Sequence, residues 1–190
     1  MSRPPAKFVS RAGAKLEHAL DAFGMDPTGW TCADLGCNVG GFTDCLLQRG
    51  AARVYAVDTG YGALAWKLRK DPRVIAMERT NAMHVTLPEV VDLVTIDVAW
   101  TRQQKVLPAA AALLKPGGRI VSLVKPHYEA DRAWLVRGLL PAERVDEVVE
   151  QVVAGLRLSG LESTARTDSP LTGASGGNRE VLLCLRRTDG

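Results

Sequence analysis

Apolar residues at positions 12, 16, 19, 20 and 23 recur at helical spacing, and Arg11, Lys15 and His18 form a polar stripe beside them. The pattern predicts an amphipathic first helix that presents cations. It breaks at Asp26-Pro27-Thr28-Gly29, and the run 32–35 then reads as a short buried strand entering a glycine-rich turn. A helix over 41–49 follows, ended by Gly50. Strands are predicted at 53–58, where the last residue is an acid, and at 73–77, with a helical stretch at 63–70 between them. A fourth strand at 91–98, a helix rich in alanine and leucine at 103–114 and a fifth strand at 118–124 continue the alternation, the turn Lys115-Pro116-Gly117 separating the last two. Val145, Val148, Val149, Val152, Val153 and Leu156 mark the buried face of one more helix. Its other face carries Glu143, Glu147 and Glu150, an ordinary solvated surface, and Pro141 stands near its start. Two further strands, at 161–167 and 180–185, flank the loop 169–178, the least structured stretch of the chain.

Five strands joined by helical crossovers imply an α/β fold: a doubly wound, mostly parallel sheet with helices on both faces. Ligands then belong at the carboxyl ends of the strands. No repeat or long linker divides the chain, so a basic tail at 1–10 and a single domain at 11–187 are expected. At 190 residues and 46% apolar, the chain can bury a full core. The 24 lysines and arginines against 21 acids give a net charge of +3, which permits a polyanionic partner without requiring one. Arg3, Lys7, Arg11 and Lys15 make the leading edge basic. Cys32, Cys37, Cys45 and Cys184 have neither paired metal spacing nor disulfide density and read as reduced packing residues. No secretory apolar segment opens the chain and no run of apolar residues is long enough to span a bilayer, so a soluble, cytoplasmic protein without a membrane partner is expected.

The turn Asp34-Leu35-Gly36-Cys37-Asn38-Val39-Gly40-Gly41-Phe42 carries the candidate chemistry. Glycines there allow close backbone approach, and the helix N-terminus after it favours an anionic group such as the carboxylate of a methionine moiety. The spacing of Gly36, Gly40 and Gly41 does not fit GxGxxG, and no GK[ST] follows, which weakens dinucleotide and ATP readings. Asp58, ending the second strand, is placed to accept hydrogen bonds from both hydroxyls of a ribose, or to cap a helix. Asn81 either reaches the adenine or methionine end of a ligand or makes a turn.

The strings SRAGAKLEHAL, DLGCNVGGFTDCLLQRGA, VYAVDTGYGALAWKLRKDPRV, ERTNAMH, IDVAW, LVKPHYEA and SPLTGASGGNREVLL resemble the haemolysin A (TlyA) branch of the FtsJ-like methyltransferases, from about residue 9 to residue 185. The resemblance implies a Rossmann-like, seven-stranded, S-adenosylmethionine-dependent enzyme that methylates a ribose 2′-hydroxyl of ribosomal RNA. It places a catalytic Lys-Asp-Lys-Glu set at Lys15, Asp97, Lys125 and Glu180. Cofactor contacts fall at Asp34, Gly36, Gly40, Gly41, Phe42, Asp58 and Asn81, with Asp97 serving both sites. Full-length members of the branch begin with a small S4-type RNA-binding domain that this sequence is expected to lack. Ribosomal RNA or a ribosomal subunit is the expected partner, with a separate RNA-binding protein as a candidate supplier of the missing domain. The branch name also implies membrane lysis, but nothing in the sequence resembles a pore or an interfacial insertion helix.

The chemistry wants such residues. A sulfonium methyl is already a strong electrophile, so positioning supplies much of the acceleration, while a ribose hydroxyl is a poor acid whose proton must leave. A lysine whose ammonium is disfavoured by burial or by a nearby cation can orient that hydroxyl or take its proton. Lys125, ending the fifth strand, is the first choice. Lys15 is placed either to act on Lys125 or to bind phosphate, while Asp97 and Glu180 hold the ammonium groups and the acceptor. His18, His84 and His127 lack metal-ligand spacing, so no metal is expected. Two rivals stand beside this reading. Asp97-Val98-Ala99-Trp100 loosely resembles the acidic-Pro-Pro-aromatic motif of base or protein N-methyltransferases, in which the ring stacks on a base, but both prolines are missing. A non-catalytic rRNA-binding assembly factor would not need the intact set of four. Candidate phosphate contacts are Arg3, Lys7, Arg11, Arg49, Lys67, Arg69 and Lys70. With 5% aromatic residues and no aromatic-rich platform evident, recognition of RNA shape is expected.

Overall fold

The protein is described from a computed structural model covering residues 6–173 and 177–189. Arg3 and residues 174–176 of the predicted loop lie outside the described residues. The elements are α1 (Ala12–Ala22), β1 (Thr31–Leu35), α2 (Gly41–Gln48), β2 (Arg53–Val57), α3 (Trp66–Arg69), β3 (Val74–Met77), β4 (Val91–Ile96), α4 (Gln103–Leu113), β5 (Leu114–Val124), α5 (Pro126–Glu129), α6 (Ala142–Gly155), β6 (Leu161–Asp168) and β7 (Val181–Arg187). Two 3-10 turns, Arg132–Trp134 and Leu156–Ser159, precede and follow α6.

One seven-stranded sheet runs in the order β3-β2-β1-β4-β5-β7-β6. The pairs from β3 to β5 are parallel, and β7 is antiparallel to both β5 and β6. Because β1, β4 and the second half of β5 are buried on both faces, they are mostly apolar there. Alternate residues feed two cores. Ala33, Leu35, Val94, Ile96 and Ile120 pack toward Val106, Leu107, Val145 and Val149 of α4 and α6. Cys32, Leu93, Val121 and Leu123 pack toward Leu16 and Leu20 of α1 and Phe42 and Leu46 of α2. All four cysteines are free and buried, Cys32, Cys37 and Cys45 within the second of these layers, and burial pushes the Cys32 and Cys45 thiols up to about 12.

Several local expectations need correction. Helix α3 is one turn, not the stretch 63–70, because Leu64 is drawn under the glycine turn and the Ala65 N–H donates to the Val39 carbonyl at 3.0 Å. Strand β5 begins at Leu114, and the predicted turn survives as an irregularity in its pairing with β4, with Gly117 at φ 76°. The N-terminal segment is not loose from residue 8 on. Phe8 is in the core against Gly13, and the Val9 N–H donates to Asp44 Oδ2 at 2.8 Å.

The largest correction concerns α1, which does not present all its cations to water. Its buried face includes Lys15 together with Gly13, Leu16, Ala19 and Leu20, and His18 is half-buried, 3.0 Å from Thr167 Oγ1. Helix α1 lies close on α2: a Cβ on Gly41 would stand 2.3 Å from Ser10 Oγ and 2.9 Å from Ala12 Cβ.

Candidate active site

Strand order reverses at β1, whose neighbours are β2 and β4, and a crevice opens there at the carboxyl edge. The residue just past the last paired rung of each strand faces it. Leu35 pairs with Val57 and with Ile96, so Gly36, Asp58 and Asp97 leave the sheet side by side. Val124 pairs with Val181, so Lys125 at the end of β5 and Glu180 at the start of antiparallel β7 emerge at that same edge. Lys15 arrives from α1 above them.

Lys15 Nζ is paired with Glu180 Oε2, and both side chains are almost wholly buried. Lys125 Nζ stands 2.6 Å from Asp97 Oδ1 and donates to the Val98 carbonyl at 3.2 Å. The contact to Asp97 is an ion pair outside hydrogen-bond alignment, so Oδ1 retains its acceptor capacity. All four residues line one cavity of about 390 Å³. A smaller hollow of about 170 Å³, bounded by Ser10, Gly36, Asn38, Phe42, Asp97 and Lys125, adjoins it. Asp97 and Lys125 line both.

In the glycine turn, Gly36 sits at φ 85°, and a Cβ there would lie 2.6 Å from the Asp97 carbonyl oxygen. Gly40, at φ 100°, has the Leu68 and Leu64 methyl groups where its Cβ would be. Only glycine meets both demands. Asp58 accepts from the Asn38 N–H at 2.8 Å through Oδ2 and from the Gly60 N–H at 2.7 Å through Oδ1. A carboxylate has about four acceptor positions, so it can still receive ribose hydroxyls. The turn opens α2, whose N-terminus suits a carboxylate. A nucleoside bearing an amino-acid arm therefore fits this donor set.

Two predicted contacts differ in their surroundings: Asp34 lines the smaller hollow, whereas Asn81 does not. Asp34 is fully buried, and its carboxylate is engaged by the Thr43 N–H and hydroxyl at 2.9 and 2.7 Å and by the Thr95 hydroxyl at 3.1 Å. It braces the turn against α2 and β4. Burial, aided by the charge of Asp97, pushes it up to about 7 against the pull of those hydrogen bonds. Asn81 accepts from the Met83 N–H at 2.9 Å, a turn contact, and lines neither cavity. Phe42 is buried among core residues and closes the floor of the smaller hollow.

The sequence reading missed a cluster beside the four. Trp100, 82% exposed at φ 62°, lies against Tyr128 with ring centroids 4.9 Å apart, and the His127 ring centroid lies 4.1 Å from that of Tyr128. Low aromatic content had argued against such a platform, but Trp100 and Tyr128 meet here beside His127. Burial and then the Lys125 charge hold His127 below its usual range. Asn178 is also new: it accepts from the Leu140 N–H at 2.9 Å and donates to the Gly138 carbonyl at 3.1 Å, pinning the segment before Glu180. Most of the expected phosphate contacts are committed elsewhere. Lys7 and Arg49 pair with Glu17, Lys67 with Asp44, and Arg69 with Glu78, while Arg11 donates to the Thr172 carbonyl and Lys70 lies over the Trp66 ring.

A mostly parallel sheet with one reversed strand, and a glycine cradle at its switch point, define a Rossmann-like, S-adenosylmethionine-dependent methyltransferase. The chain belongs to the FtsJ-like methyltransferase family, whose model matches residues 8–187. It is 40% identical over 190 residues to YqxC of Bacillus subtilis (strain 168), covering 95% of this chain and 66% of the relative. It is 43% identical over 186 residues to the 16S/23S rRNA (cytidine-2′-O)-methyltransferase TlyA of Mycobacterium tuberculosis, covering 94% of this chain and 68% of that protein. The chain thus spans about two thirds of the length of these curated relatives. A solved structure from Streptococcus thermophilus, of a protein carrying a hemolysin name, superposes with a TM-score of 0.93 at 37% identity, over 100% of this chain and 70% of that one. Among the described residues no helix is long and apolar enough to cross a membrane.

Proposed function

We propose that the chain is a cytoplasmic methyltransferase that modifies a ribose 2′-hydroxyl of ribosomal RNA, with one catalytic domain over residues 11–187. The observation that carries this reading is the meeting of Lys15, Asp97, Lys125 and Glu180 at one cavity beside the glycine cradle. The name of the M. tuberculosis relative, which specifies rRNA (cytidine-2′-O) methylation, supports the substrate.

In this reading Asp34, Gly36, Gly40, Gly41, Phe42, Asp58, Asn81 and Asp97 make up the cofactor side. Asp34 and Phe42 act by shaping the turn, Gly36 and Gly40 by leaving room, and Asp58 by accepting ribose hydroxyls. Bound S-adenosylmethionine supplies an electrophilic methyl group. The chain's own residues supply position and a place for the proton. Lys125, held by Asp97 and the Val98 carbonyl, aims the acceptor hydroxyl, and once its ammonium has passed a proton to the Asp97 carboxylate the neutral amine takes the hydroxyl proton. Lys15 and Glu180 neutralise each other, so they add little net charge and instead wall the acceptor side with fixed donors and acceptors. A separate RNA-binding protein or a further domain of the chain is the natural supplier of additional RNA affinity.

The test is incubation with methyl-labelled S-adenosylmethionine and unmodified ribosomal subunits, naked rRNA or total protein, followed by primer extension sensitive to ribose methylation. Label on one ribose, absent with Lys125→Ala while cofactor binding persists, is expected. Label on a base or on protein would replace the reading with an amino-group methyltransferase.

A further inference from the structure

The segments that follow β4 and β5 carry the two halves of the reactive ion pair, Asp97 and Lys125, which stand 2.6 Å apart. We propose that Glu129 is a positioning residue for methyl transfer: together with Gln103 it clamps the start of α4 to the end of β5 and so fixes Asp97 against Lys125. The clamp rests on the roles given to Asp97 and Lys125 above and sets the distance at which they work.

The need for it comes from the loop 98–102. Among the described residues, none of the backbone N–H groups of this loop donates to a backbone carbonyl. The sheet holds its front end, where the Asp97 N–H donates to the Leu35 carbonyl at 3.0 Å. Its rear end is the start of α4, and Arg102, in the N-cap position, places no side-chain cap there. Glu129 supplies one from another element: its Oε1 accepts from the Gln103 N–H at 2.8 Å. The first turn of α4 has no acid of its own, so the carboxyl of Glu129 also complements the helix dipole.

The Gln103 side chain, 3% exposed, closes the other half of the clamp. Its Oε1 accepts from the Ser122 hydroxyl at 2.6 Å, and its Nε2 donates more loosely to the Leu123 carbonyl at 3.5 Å. Ser122 and Leu123 stand just before Lys125 in the chain, and Glu129 stands one turn after it. A single residue of α4 is thus tied to the chain on both sides of Lys125, while the loop it terminates begins at Asp97.

Glu129 does not touch the reacting groups. It lines neither hollow of the active site and faces a separate cavity of about 440 Å³ between α4 and α6, where Arg102 is the other charged side chain. Burial holds Glu129 above the usual carboxylate range, against the pull of the Gln103 N–H and of the Arg102 charge. Either protonation state keeps an oxygen that can accept from Gln103, so the contact needs the acceptor and not the charge. A misplacement of about 1 Å at the reacting atoms costs on the order of 100-fold in rate, so a tie at this remove can govern turnover.

The test compares Glu129→Ala, Glu129→Gln, Gln103→Met and the double variant Glu129→Ala with Gln103→Met against the native chain. Unmodified ribosomal subunits are the substrate, calorimetry gives S-adenosylmethionine affinity, and mass spectrometry follows amide hydrogen exchange. Glu129→Ala should lower kcat roughly 10-fold to 100-fold. Its KM for RNA and its cofactor affinity should be unchanged, because Glu129 lines neither hollow of the site. Glu129→Gln, which keeps an oxygen acceptor, should recover most of the loss. Gln103→Met should also lower kcat, and the double variant should lose less than the product of the two single losses, since the residues act as a unit. Exchange at residues 98–103 should quicken in Glu129→Ala. Native kcat in Glu129→Ala or in Gln103→Met would overturn the clamp and leave the ribose reading standing. So would a kcat that falls only in step with cofactor affinity, or single losses that simply multiply in the double variant. A native chain that binds cofactor but labels no RNA would remove the ribose reading, and unchanged exchange at 98–103 in Glu129→Ala would then overturn the clamp as well.

Discussion

Lys15 and Glu180 form a pair whose side chains are 7% and 3% exposed, so their electrostatics can be tested apart from the chemistry. Replacing Lys15 with methionine keeps the length of the side chain and deletes its charge. Glu180 is then left buried without its cation, which in comparable pairs costs about 3–5 kcal/mol. For 190 residues the unfolding entropy near the melting point is about 0.4 kcal/mol/K, so the melting temperature should fall by roughly 8–12 °C. Glu180→Gln should also destabilise, because it strands the ammonium of Lys15. The double variant Lys15→Met with Glu180→Leu removes both charges and fills the space with apolar groups. It should regain stability to within about 1–2 kcal/mol of the native chain, since a buried pair and its apolar replacement are often close in energy. Methyl transfer should remain abolished in all three variants. Urea unfolding followed by circular dichroism gives the stabilities, and label transfer to ribosomal subunits gives the activity. A single variant melting within about 2 °C of the native chain would refute the reasoning, because a charge buried this deeply cannot lose its partner at so little cost. So would a double variant as unstable as the two single losses combined, which would mean that shape, not charge, holds the two residues together.

Two further outcomes follow from the turn. Asp34 has a folded value raised from 3.8 to about 7, so between those pH values the folded chain binds a proton that the unfolded chain has lost. The stability contributed by this group is therefore complete below about pH 4 and declines as pH rises toward 7, by at most about 4 kcal/mol. Asp34→Asn cannot ionise, so urea unfolding of variant and native chain should converge at acid pH and separate in the variant's favour toward pH 7; parallel curves across that range would refute the burial argument. Gly36→Ala drives a methyl group to 2.6 Å from the Asp97 carbonyl oxygen at a φ of 85°. Because a backbone atom opposes it, β4 and Asp97 must move, and calorimetry should show S-adenosylmethionine affinity falling roughly tenfold or more, the equivalent of about 1.4 kcal/mol or more.

The alternation of strands and helices was legible because each long element repeats its apolar pattern against two packed layers. Predicted and observed bounds of α1, α2, α4, α6 and the strands differ mainly at their ends. The short elements were not legible: α5 and the 3-10 turn at Arg132–Trp134 span four and three residues, too few to show a period. Lys15 looked like surface because Arg11 and His18 share its stripe, and the partner that makes its burial tolerable lies 165 residues away. The bracing role of Asp34 was not legible because the sequence could not show Thr43 and Thr95 closing on it. Trp100 sits in a loop after β4 and the His127–Tyr128 pair in the one-turn helix α5 after β5, so only the parallel pairing of β4 with β5 makes them neighbours.

That pairing also explains why one strand must run backwards. A sheet of parallel strands presents only the residues that follow each strand at its carboxyl edge, and these supply Gly36, Asp58, Asp97 and Lys125. A fifth group at the same edge beside Lys125 has to come either from another crossover helix or from a strand entered in the opposite sense. Strand β7 takes the second course: paired antiparallel with β5 from Val124↔Val181 to Ile120↔Leu185, it brings its first residues to the edge where β5 ends. Reversed, the same strand would deliver Arg187 there and leave Glu180 at the far edge, with Lys15 buried and unpaired. The β6–β7 hairpin is therefore what makes a buried lysine at the entrance to the site energetically possible.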